Sequence, residues 1–429
     1  MTRTIKISQI ARVEGHGGIT VVIDKNKVKD VQVEIYEGPR LIETLVIGKT
    51  IDESVSITSR ICAICTISHR YAAIRSIERA LNIKVPEKVT LLRTLMHLGE
   101  IIESHSLHVF LLALPDILGY PSAIAMVNEY EKEVISGLLL KKYGTSIMKL
   151  ISGRKIHGEN PIIGGFGKNP SNEELLKIKN EAEKHFSAVE NVIKILADYK
   201  YPQHFNERSI FMCLNPPNNQ YGFVGDTVLI SDGSEYSVDD YKKITNERVV
   251  PYSFAKRSSY KGSPFMVGAI ARINLLGDRL TGKAKEYYKK YFNDEWYFNP
   301  LYNNLAQAIE ILYCLEKIPE IIDSTLKLKD PEIIKPKKKD GVGTSAVEAP
   351  RGTLYHHYVI KNLKIVESDI ITPTAQNLDN MERHIRMSAE KMINADTKDI
   401  TLLLEMIARA YDPCISCSAH LVRVIRDDR

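Results

Sequence analysis

Several features that would assign a common class of protein are missing from this sequence. No apolar run approaches the roughly 18 residues that a membrane span needs. The N-terminus, Met1 to Lys6, leads into a strand-like pattern without the apolar core of a signal peptide. The 58 basic and 53 acidic residues nearly balance, which argues against a nucleic-acid-binding surface. These absences favour a cytoplasmic protein that has no membrane span and binds no nucleic acid.

Motifs for nucleotide cofactors are also missing. No Gly-x-Gly-x-x-Gly follows a strand-like run, and Gly341-Val-Gly343 lacks the third glycine. Cys213 and Cys314 each stand alone among apolar neighbours, so we interpret them as small buried hydrophobic residues. An iron–sulfur cluster is usually held by four thiolates, and only the paired cysteines described next could supply them. We expect no flavin, nicotinamide or iron–sulfur cluster on this chain.

The four remaining cysteines form two Cys-x-x-Cys pairs near opposite ends of the chain, each followed by a histidine. The pairs are Cys62/Cys65, before His69, and Cys414/Cys417, before His420. A zinc ribbon places its pairs roughly 15–20 residues apart, whereas nearly the whole chain separates these. Four soft thiolates brought together by folding would bind a soft metal ion. Such a site closes only after the body has folded, so metal loading is expected to be late, which is unusual for a structural metal.

Apolar periodicity predicts a mainly helical (α+β) protein. Apolar positions at i, i+3 and i+4 predict helices at Pro86 to Asp116, Glu174 to Ala197, Asn304 to Leu326 and Ile400 to Tyr411. Runs rich in β-branched residues predict antiparallel hairpins at 19–23 with 31–35 and at 352–360 with 363–371. Residues 201–282, with Pro-Pro and Asn-Asn pairs, are expected to be irregular. No repeat or linker is evident, so we expect one domain over 1–420, a large helical-bundle core with peripheral β hairpins.

The cysteine motifs and three further segments resemble the large subunit of nickel–iron hydrogenases over essentially the full chain. The segments are Arg12-Val-Glu14-Gly-His16, Glu348-Ala-Pro-Arg351-Gly and the terminal Asp412-Pro413 block. Residues 260–269 and 408–418 are similar to the cytoplasmic group, in particular the alpha subunit of archaeal NADP-linked hydrogenases (sulfhydrogenases). The resemblance implies the fold of that large subunit and the reversible heterolytic cleavage of H2 into protons and electrons.

The resemblance also implies a nickel–iron centre whose iron carries cyanide and carbon monoxide. Cys62 and Cys414 would be terminal nickel ligands, while Cys65 and Cys417 would bridge nickel to iron. The resemblance further implies a magnesium-type site nearby, whose ligands would be Glu43, the backbone carbonyl of Ile370 and His420.

Further residues take roles from the same resemblance. Glu14 would relay protons, Arg351 would lie over the metals, and Asp116 and Asp412 would hold that arginine. His69 would orient the thiolates. The lining around the iron's small ligands would comprise Pro350, Thr372, Pro373 and Thr374.

Plainer interpretations exist for some of these residues. The sequence alone is compatible with Glu14 in a turn at a strand edge, with an Asp-Pro turn at Asp412, and with His69 as a core or cap residue. Three histidines on one predicted helix are interpreted as packing residues, because no carboxylate completes an obvious metal site. They are His97, His105 and His108.

Partners follow from the missing electron carriers. A small subunit with iron–sulfur clusters is required, and subunits that bind flavin and NAD(P) would pass electrons on to NADP. A maturation protease would remove residues 421–429 after His420, once nickel-insertion proteins have acted. Alternative acceptors are a deazaflavin or a heterodisulfide-linked system. Among different classes, a quinone-site subunit of a respiratory complex would lack the four cysteines, and a structural zinc protein would leave Glu14 and Arg351 unexplained.

Overall fold

Helices make up most of the regular structure in the computed structural model, which describes residues 2–419. The α-helices are α1 (Ile42–Leu45), α2 (Ile51–Thr58), α3 (Thr66–Leu81), α4 (Glu87–Ser106), α5 (Leu114–Leu118), α6 (Ala123–Ser152), α7 (Asn172–Ala182), α8 (Phe186–Asp198), α9 (Tyr241–Thr245), α10 (Ala269–Leu276), α11 (Gly282–Tyr291), α12 (Asn303–Leu326), α13 (Pro373–Lys391), α14 (Thr397–Ala410) and α15 (Ile415–Ser418). A π-helical segment, Leu107–Ala113, joins α4 to α5. Single 3-10 turns occur at Glu183–His185, Pro217–Asn219, Val238–Asp240, Gly277–Arg279, Asp294–Tyr297 and Pro300–Tyr302.

The strands form three small sheets and one two-stranded ribbon at the periphery of the helices. They are β1 (Thr2–Ile7), β2 (Gly17–Asp24), β3 (Lys27–Ile35), β4 (Pro161–Ile162), β5 (Gly165–Phe166), β6 (Ile210–Asn215), β7 (Val224–Gly225), β8 (Thr227–Ile230), β9 (Glu235–Ser237), β10 (Phe265–Met266), β11 (Gly341–Ala349), β12 (Gly352–Lys361) and β13 (Lys364–Ile371). The sheet orders are β1-β2-β3, β10-β6-β8-β9 and β13-β12-β11-β7, with β4-β5 as the ribbon. Every pairing is antiparallel except that of β10 with β6.

Helix α4 forms the centre of the protein and packs against α6 and α12. The stretch Glu87–Leu118 is long and apolar enough to cross a membrane, but 67% of its most apolar window is buried inside the protein, as in a core helix. A Cβ atom on Gly144 of α6 would lie 2.5 Å from the carbonyl oxygen of Gly99 on α4. Only glycine permits this close crossing, which fixes α4 relative to the rest of the bundle.

The predicted architecture is confirmed. Helices form the body, and both predicted hairpins exist as β2–β3 and β12–β13. Cys213 and Cys314 are fully buried, as predicted for small hydrophobic residues.

Other details differ from the predictions. The helix predicted from Pro86 begins at Glu87 and becomes π-helical at Leu107. The helix predicted for 174–197 is interrupted by a 3-10 turn and forms α7 and α8. The region 201–282, expected to be irregular, holds β6 to β10 and helices α9 and α10. Those strands are two to six residues long, which is too short to give a clear alternating pattern.

Candidate metal centre

The four paired cysteines form one buried cluster. The Sγ atoms of Cys62 and Cys414 are 3.3 Å apart, those of Cys65 and Cys417 are 3.1 Å apart, and those of Cys414 and Cys417 are 2.9 Å apart. All four lie within 4.8 Å of one another, and within residues 2–419 no other group of three or more His, Cys, Asp or Glu side chains is arranged to hold a metal ion. The two pairs therefore meet, as the sequence predicts.

Local structure points each cysteine into the cluster. The backbone N–H of Cys65 donates to Cys62 Sγ at 3.1 Å, and α3 begins at the next residue. The partial positive charge at a helix N-terminus favours a thiolate there. In the second loop, the Cys414 N–H donates to Thr374 Oγ1 at 2.9 Å and the Cys417 N–H donates to the Cys414 carbonyl at 3.2 Å.

The protonation of these thiols depends on a cation. Burial raises the pKa of Cys65 well above its usual value and that of Cys417 to about 11. Burial also raises the pKa of Cys62, but hydrogen bonds with the other three thiols outweigh it and bring the pKa well below the usual range. Four thiolates at these distances repel one another strongly, so a bound metal ion is needed to hold all four deprotonated together.

Arg351 supplies a positive charge beside the cluster. Its Nε donates to the Asp412 carbonyl at 2.8 Å, Nη2 donates to Asp412 Oδ1 at 2.9 Å, and Nη1 donates to Ser104 Oγ at 2.9 Å. Burial opposes its charge, but Asp412 and the thiolates of Cys414 and Cys65 raise the pKa of Arg351 well above its usual value. A buried, permanently charged guanidinium can stabilise negative charge that develops over the thiolates.

Asp412 is held in an unusual conformation. Its φ of 48° lies in the left-handed region, and it precedes Pro413, which further restricts its backbone. Besides Arg351, His108 Nδ1 lies 3.1 Å from Oδ1 and Gln307 Nε2 donates to Oδ2 at 3.0 Å. Burial raises the pKa of Asp412, but Arg351 and His108 outweigh it and lower the pKa to about 2. The carboxylate is thus ionised and fixed on all sides, which maintains the strained turn.

Comparison with known proteins decides what this cluster is. A family model described as "Nickel-dependent hydrogenase" matches residues 40–150 and 226–420, and a model described as "HoxL-like" matches residues 4–37. The chain is 43% identical to the sulfhydrogenase 1 subunit alpha of Pyrococcus furiosus over 98% of each chain. This chain belongs to the nickel-dependent hydrogenase family. It is the catalytic subunit of a nickel-dependent hydrogenase.

Solved hydrogenases share the fold. A crystal structure of an NAD+-reducing NiFe-hydrogenase in the H2-reduced state has a TM-score of 0.90 and 27% identity, covering 97% of this chain and 99% of that chain. The Ni-Fe-Se hydrogenase of D. vulgaris Hildenborough has a TM-score of 0.82 and 23% identity, covering 98% and 100%. Four buried thiolates are a donor set that fits nickel and iron, because both metals accept soft sulfur ligands.

Glu14 lies against the second cysteine loop of this hydrogenase. Its carboxylate accepts hydrogen bonds from Ser416 N at 3.0 Å and from Ser416 Oγ at 2.5 Å. The backbone of Glu14 pairs with Cys414, and its carbonyl accepts from Ile415 N at 3.0 Å. The side chain is half-buried, so it is a carboxylate placed between the buried cluster and the protein surface.

His69 is fully buried and is the first of three side chains, His69, His356 and Tyr358, that contact one another in sequence through polar atoms. Its Nδ1 lies 3.1 Å from His356 Nε2, and His356 Nδ1 lies 2.8 Å from the hydroxyl of Tyr358. The backbone N–H of His69 donates to the Cys65 carbonyl at 3.2 Å. The ring is therefore oriented from behind by β12, next to the first cysteine loop.

Of the residues predicted to line the iron's ligands, one contacts the second cysteine loop directly. Pro373 starts α13, directly after Thr372. The carbonyl of Pro350 accepts from Arg272, and the hydroxyl of Thr374 accepts from Cys414 N. The hydroxyl of Thr372 is buried and makes no hydrogen bond within the described residues. An unpaired buried hydroxyl is costly, so this one could accommodate a polar ligand.

Two of the residues predicted for a magnesium site, Glu43 and Ile370, are in contact. Glu43 is buried, and its Oε1 accepts from the backbone N–H of Ile370 at 2.7 Å. Burial raises the pKa of Glu43 to about 7, although Lys256 and the Ile370 N–H oppose the shift. A carboxyl with such a pKa gains from a nearby cation. His420 lies outside the described residues.

The prediction that Asp116 holds Arg351 is wrong. Asp116 binds Arg409, whose Nε and Nη2 donate to it at 2.7 and 3.0 Å, and it also pairs with Arg12. Ser104 takes the place beside Arg351 that the sequence analysis gave to Asp116. Asp116 instead joins the loop before β2 to helix α14.

We expect Asp116→Asn to destabilise the fold without lowering turnover per nickel. Removing the charge leaves Arg409, which is 1% exposed, with only its ion pair to the partly exposed Glu405 at 3.3 Å, at a cost of about 3 kcal/mol. Thermal unfolding measures the loss of stability, and hydrogen turnover per nickel measures the effect on catalysis. Asp198→Asn, at the exposed end of α8, is the control; a turnover defect in Asp116→Asn with unchanged stability would contradict the assignment.

Sequence reasoning interpreted His105, on α4, and His108, in the π-helical segment, as packing residues and missed the carboxylate that each contacts. His105 Nε2 lies 2.8 Å from Glu310 Oε2, and His108 contacts Asp412, so these histidines serve two different carboxylates. The spacing of the two histidines was the available signal. Gln307 gave none, because its role depends on α12 lying opposite the loop after α14.

Glu100 was also missed. It is fully buried on α4, and its carboxylate accepts from the N–H groups of Ile67 and Ser68 at 2.6 and 2.9 Å. These N–H groups belong to the first turn of α3, next to Cys65, so Glu100 anchors the first cysteine loop. Burial raises the pKa of Glu100 to about 8, with the hydrogen bonds from Ser68 and Ile67 opposing the shift.

Proposed function

We propose that this hydrogenase subunit cleaves H2 reversibly and heterolytically at a nickel–iron centre held by the four cysteines. The observation that carries the proposal is the buried cluster of four Sγ atoms within 4.8 Å, beside the charged Arg351. Cys62, Cys65, Cys414 and Cys417 would hold the nickel and the iron through their thiolates. Cyanide and carbon monoxide would complete the iron, and Pro350, Thr372, Pro373 and Thr374 would line the space around them. When bound, the centre supplies the site at which H2 is polarised.

The chain's own residues handle the proton and the charge. A thiolate next to the reacting molecule can take up the proton, and the Glu14 carboxylate, hydrogen-bonded to the loop between Cys414 and Cys417, receives it for release to solvent. Arg351 stabilises negative charge at the cluster, and Asp412 keeps the guanidinium in place. His69 orients the first cysteine loop.

Electrons leave through a partner subunit. Cys213 and Cys314 are fully buried and lie far apart in the sequence, so they do not supply the four thiolates of an iron–sulfur cluster. A small subunit with iron–sulfur clusters fills this role, and flavin- and NAD(P)-binding subunits pass the electrons to NADP in the cytoplasm. The structural relative described as NAD+-reducing supports a nicotinamide acceptor. A deazaflavin or heterodisulfide-linked acceptor is the alternative.

Maturation completes the site. Nickel-insertion proteins act first, and a dedicated protease then removes residues 421–429. Magnesium binds at Glu43 and Ile370, with His420 as a further ligand. Residues 420–429 lie outside the described part of the structure, so this step rests on the sequence.

Metal content tests the proposal. Protein purified without oxygen from its own host is expected to contain close to one nickel per chain, with iron in excess of the partner's clusters. Elemental analysis of the complex measures both. Zinc without nickel, in protein whose C-terminal tail has been removed, would contradict the proposal and favour a structural zinc protein. Zinc in protein that retains the tail would identify the immature precursor, and the mature form would then be analysed.

A further inference from the structure

Arg272, on α10, is a fully buried arginine. Its Nε and Nη2 atoms donate to the two carboxylate oxygens of Glu310 at 2.5 and 2.6 Å, and its Nη1 donates to Glu348 Oε2 at 2.8 Å. Both glutamates are completely buried. A guanidinium between two buried carboxylates neutralises part of their charge, which makes this a rigid arrangement rather than a surface ion pair.

The same guanidinium also binds the backbone just before Arg351. Nη1 donates to the carbonyl of Ala349 at 3.3 Å, and Nη2 donates to the carbonyl of Pro350 at 3.2 Å. These two residues end β11 and begin the turn to β12. Arg272 thus reaches the polypeptide that carries the arginine beside the metal centre.

Close backbone contacts hold the other side of this turn. Gly352 has a φ of 131°, and a Cβ atom there would lie 2.4 Å from Val267 Cγ2. A Cβ on Gly268 would lie 3.2 Å from the carbonyl oxygen of Arg351. The segment Val267 to Arg272 therefore forms a cradle in which the turn from Ala349 to Gly352 rests.

Glu348 is fixed independently of Arg272. Its Oε1 accepts from Leu214 N at 2.8 Å and from the hydroxyl of Thr353 at 2.7 Å. The carboxylate consequently connects β6 and β12 to the arginine, so a displacement of Arg272 would be transmitted to both ends of the turn.

We propose that Arg272 is a positioning residue for Arg351: by binding the carbonyls of Ala349 and Pro350 it sets the turn that holds the Arg351 guanidinium beside the thiolates. This inference rests on the proposed function, because it concerns turnover at the nickel–iron centre. Arginine is required, since only a planar guanidinium with five N–H donors reaches two carboxylates and two carbonyls at once.

The test is Arg272→Lys in the oxygen-free, nickel-loaded complex. Lysine keeps the charge beside Glu310 but cannot make all the contacts. The expected result is a fall in kcat of about 10- to 100-fold, as for a small misplacement of an active-site group, with nickel content and the KM for H2 unchanged. Arg257→Lys is the matched control, because Arg257 is also fully buried and binds a carboxylate, Glu382, and a carbonyl, that of Val33.

A double variant separates positioning from general destabilisation. If Arg272 acts through Arg351, adding Arg272→Lys to Arg351→Lys lowers kcat little further, whereas independent effects would multiply. Multiplying effects, or an Arg272→Lys enzyme as active as Arg257→Lys, would overturn the proposal.

A second variant serves if Arg272→Lys fails to fold or load nickel. Glu348→Gln has a single acceptor oxygen in place of two, so it weakens the contact with Arg272. We expect the same fall in kcat and the same non-additivity with Arg351→Lys. Absence of both would overturn the proposal. A wild-type complex without nickel and turnover would instead refute the proposed function.

Discussion

Replacing Cys417 with serine is expected to abolish both metal loading and hydrogen turnover. A serine hydroxyl is a hard donor that stays protonated at neutral pH, so it is a poor replacement for a thiolate ligand of nickel and iron. The other three thiolates would remain, but Cys417 Sγ lies within hydrogen-bonding distance of the Sγ atoms of Cys65 and Cys414 and thus closes the cluster. Elemental analysis should show essentially no nickel, and turnover should fall below detection.

Cys314→Ala provides the matched control for this experiment. Cys314 is fully buried on α12 but lies among apolar side chains rather than at the cluster. Its loss should leave nickel content unchanged and lower stability only modestly, through a small cavity. Full nickel occupancy in Cys417→Ser would remove that residue from the ligand set.

Replacing Glu14 with glutamine is expected to lower turnover by about 100-fold or more, the usual effect of losing a proton-transfer group. The amide keeps the size of the side chain and can still accept a hydrogen bond from Ser416 through its oxygen, so the second cysteine loop should close normally. Nickel and iron content should therefore match the wild type. Exchange between H2 and D2O, together with turnover, measures the proton step directly.

Glu37→Gln is the control for that substitution. Glu37 lies near the same loop, where its Oε1 accepts from the backbone N–H of His16 at 3.2 Å, but it has no contact with the cysteine loops among its hydrogen bonds. It should retain wild-type turnover. A fully active, metal-loaded Glu14→Gln enzyme would exclude Glu14 as the relay, and loss of metal would show that its role is structural.

The cysteine cluster could be predicted from the sequence because two Cys-x-x-Cys pairs indicate a metal site by their chemistry alone. That inference does not require the fold of the residues between the pairs. Asp412 also binds Arg351, as the resemblance implied. In these cases a short motif specifies both the residue and the conformation of the backbone around it, so the position of the side chain could be predicted from the motif.

Asp116 shows where such reasoning ends. It lies beyond the π-helical segment Leu107–Ala113, and a π-helical turn changes the rotation of every residue after it. Ser104, before that segment, contacts Arg351, whereas Asp116 points to Arg12 and Arg409. The resemblance placed Asp116 beside Arg351 by matching a residue, and neither that match nor the apolar periodicity reveals which side chain the helix brings to the guanidinium. The sheet β10-β6-β8-β9 was missed because its strands are short and β10 pairs with β6, which is distant in the sequence.

The meeting of the two chain ends has a consequence for the polymer as a whole. A metal centre held by both Cys65 and Cys414 would close a loop of about 350 residues. In the chain-entropy treatment of cross-links, such a loop lowers the conformational entropy of the unfolded chain, which stabilises the folded state by on the order of 5 kcal/mol. The centre would therefore act as a cross-link that stabilises the entire domain, in addition to its role in catalysis. Losing the metals would cost the enzyme activity and, at the same time, the restraint that keeps its two ends together.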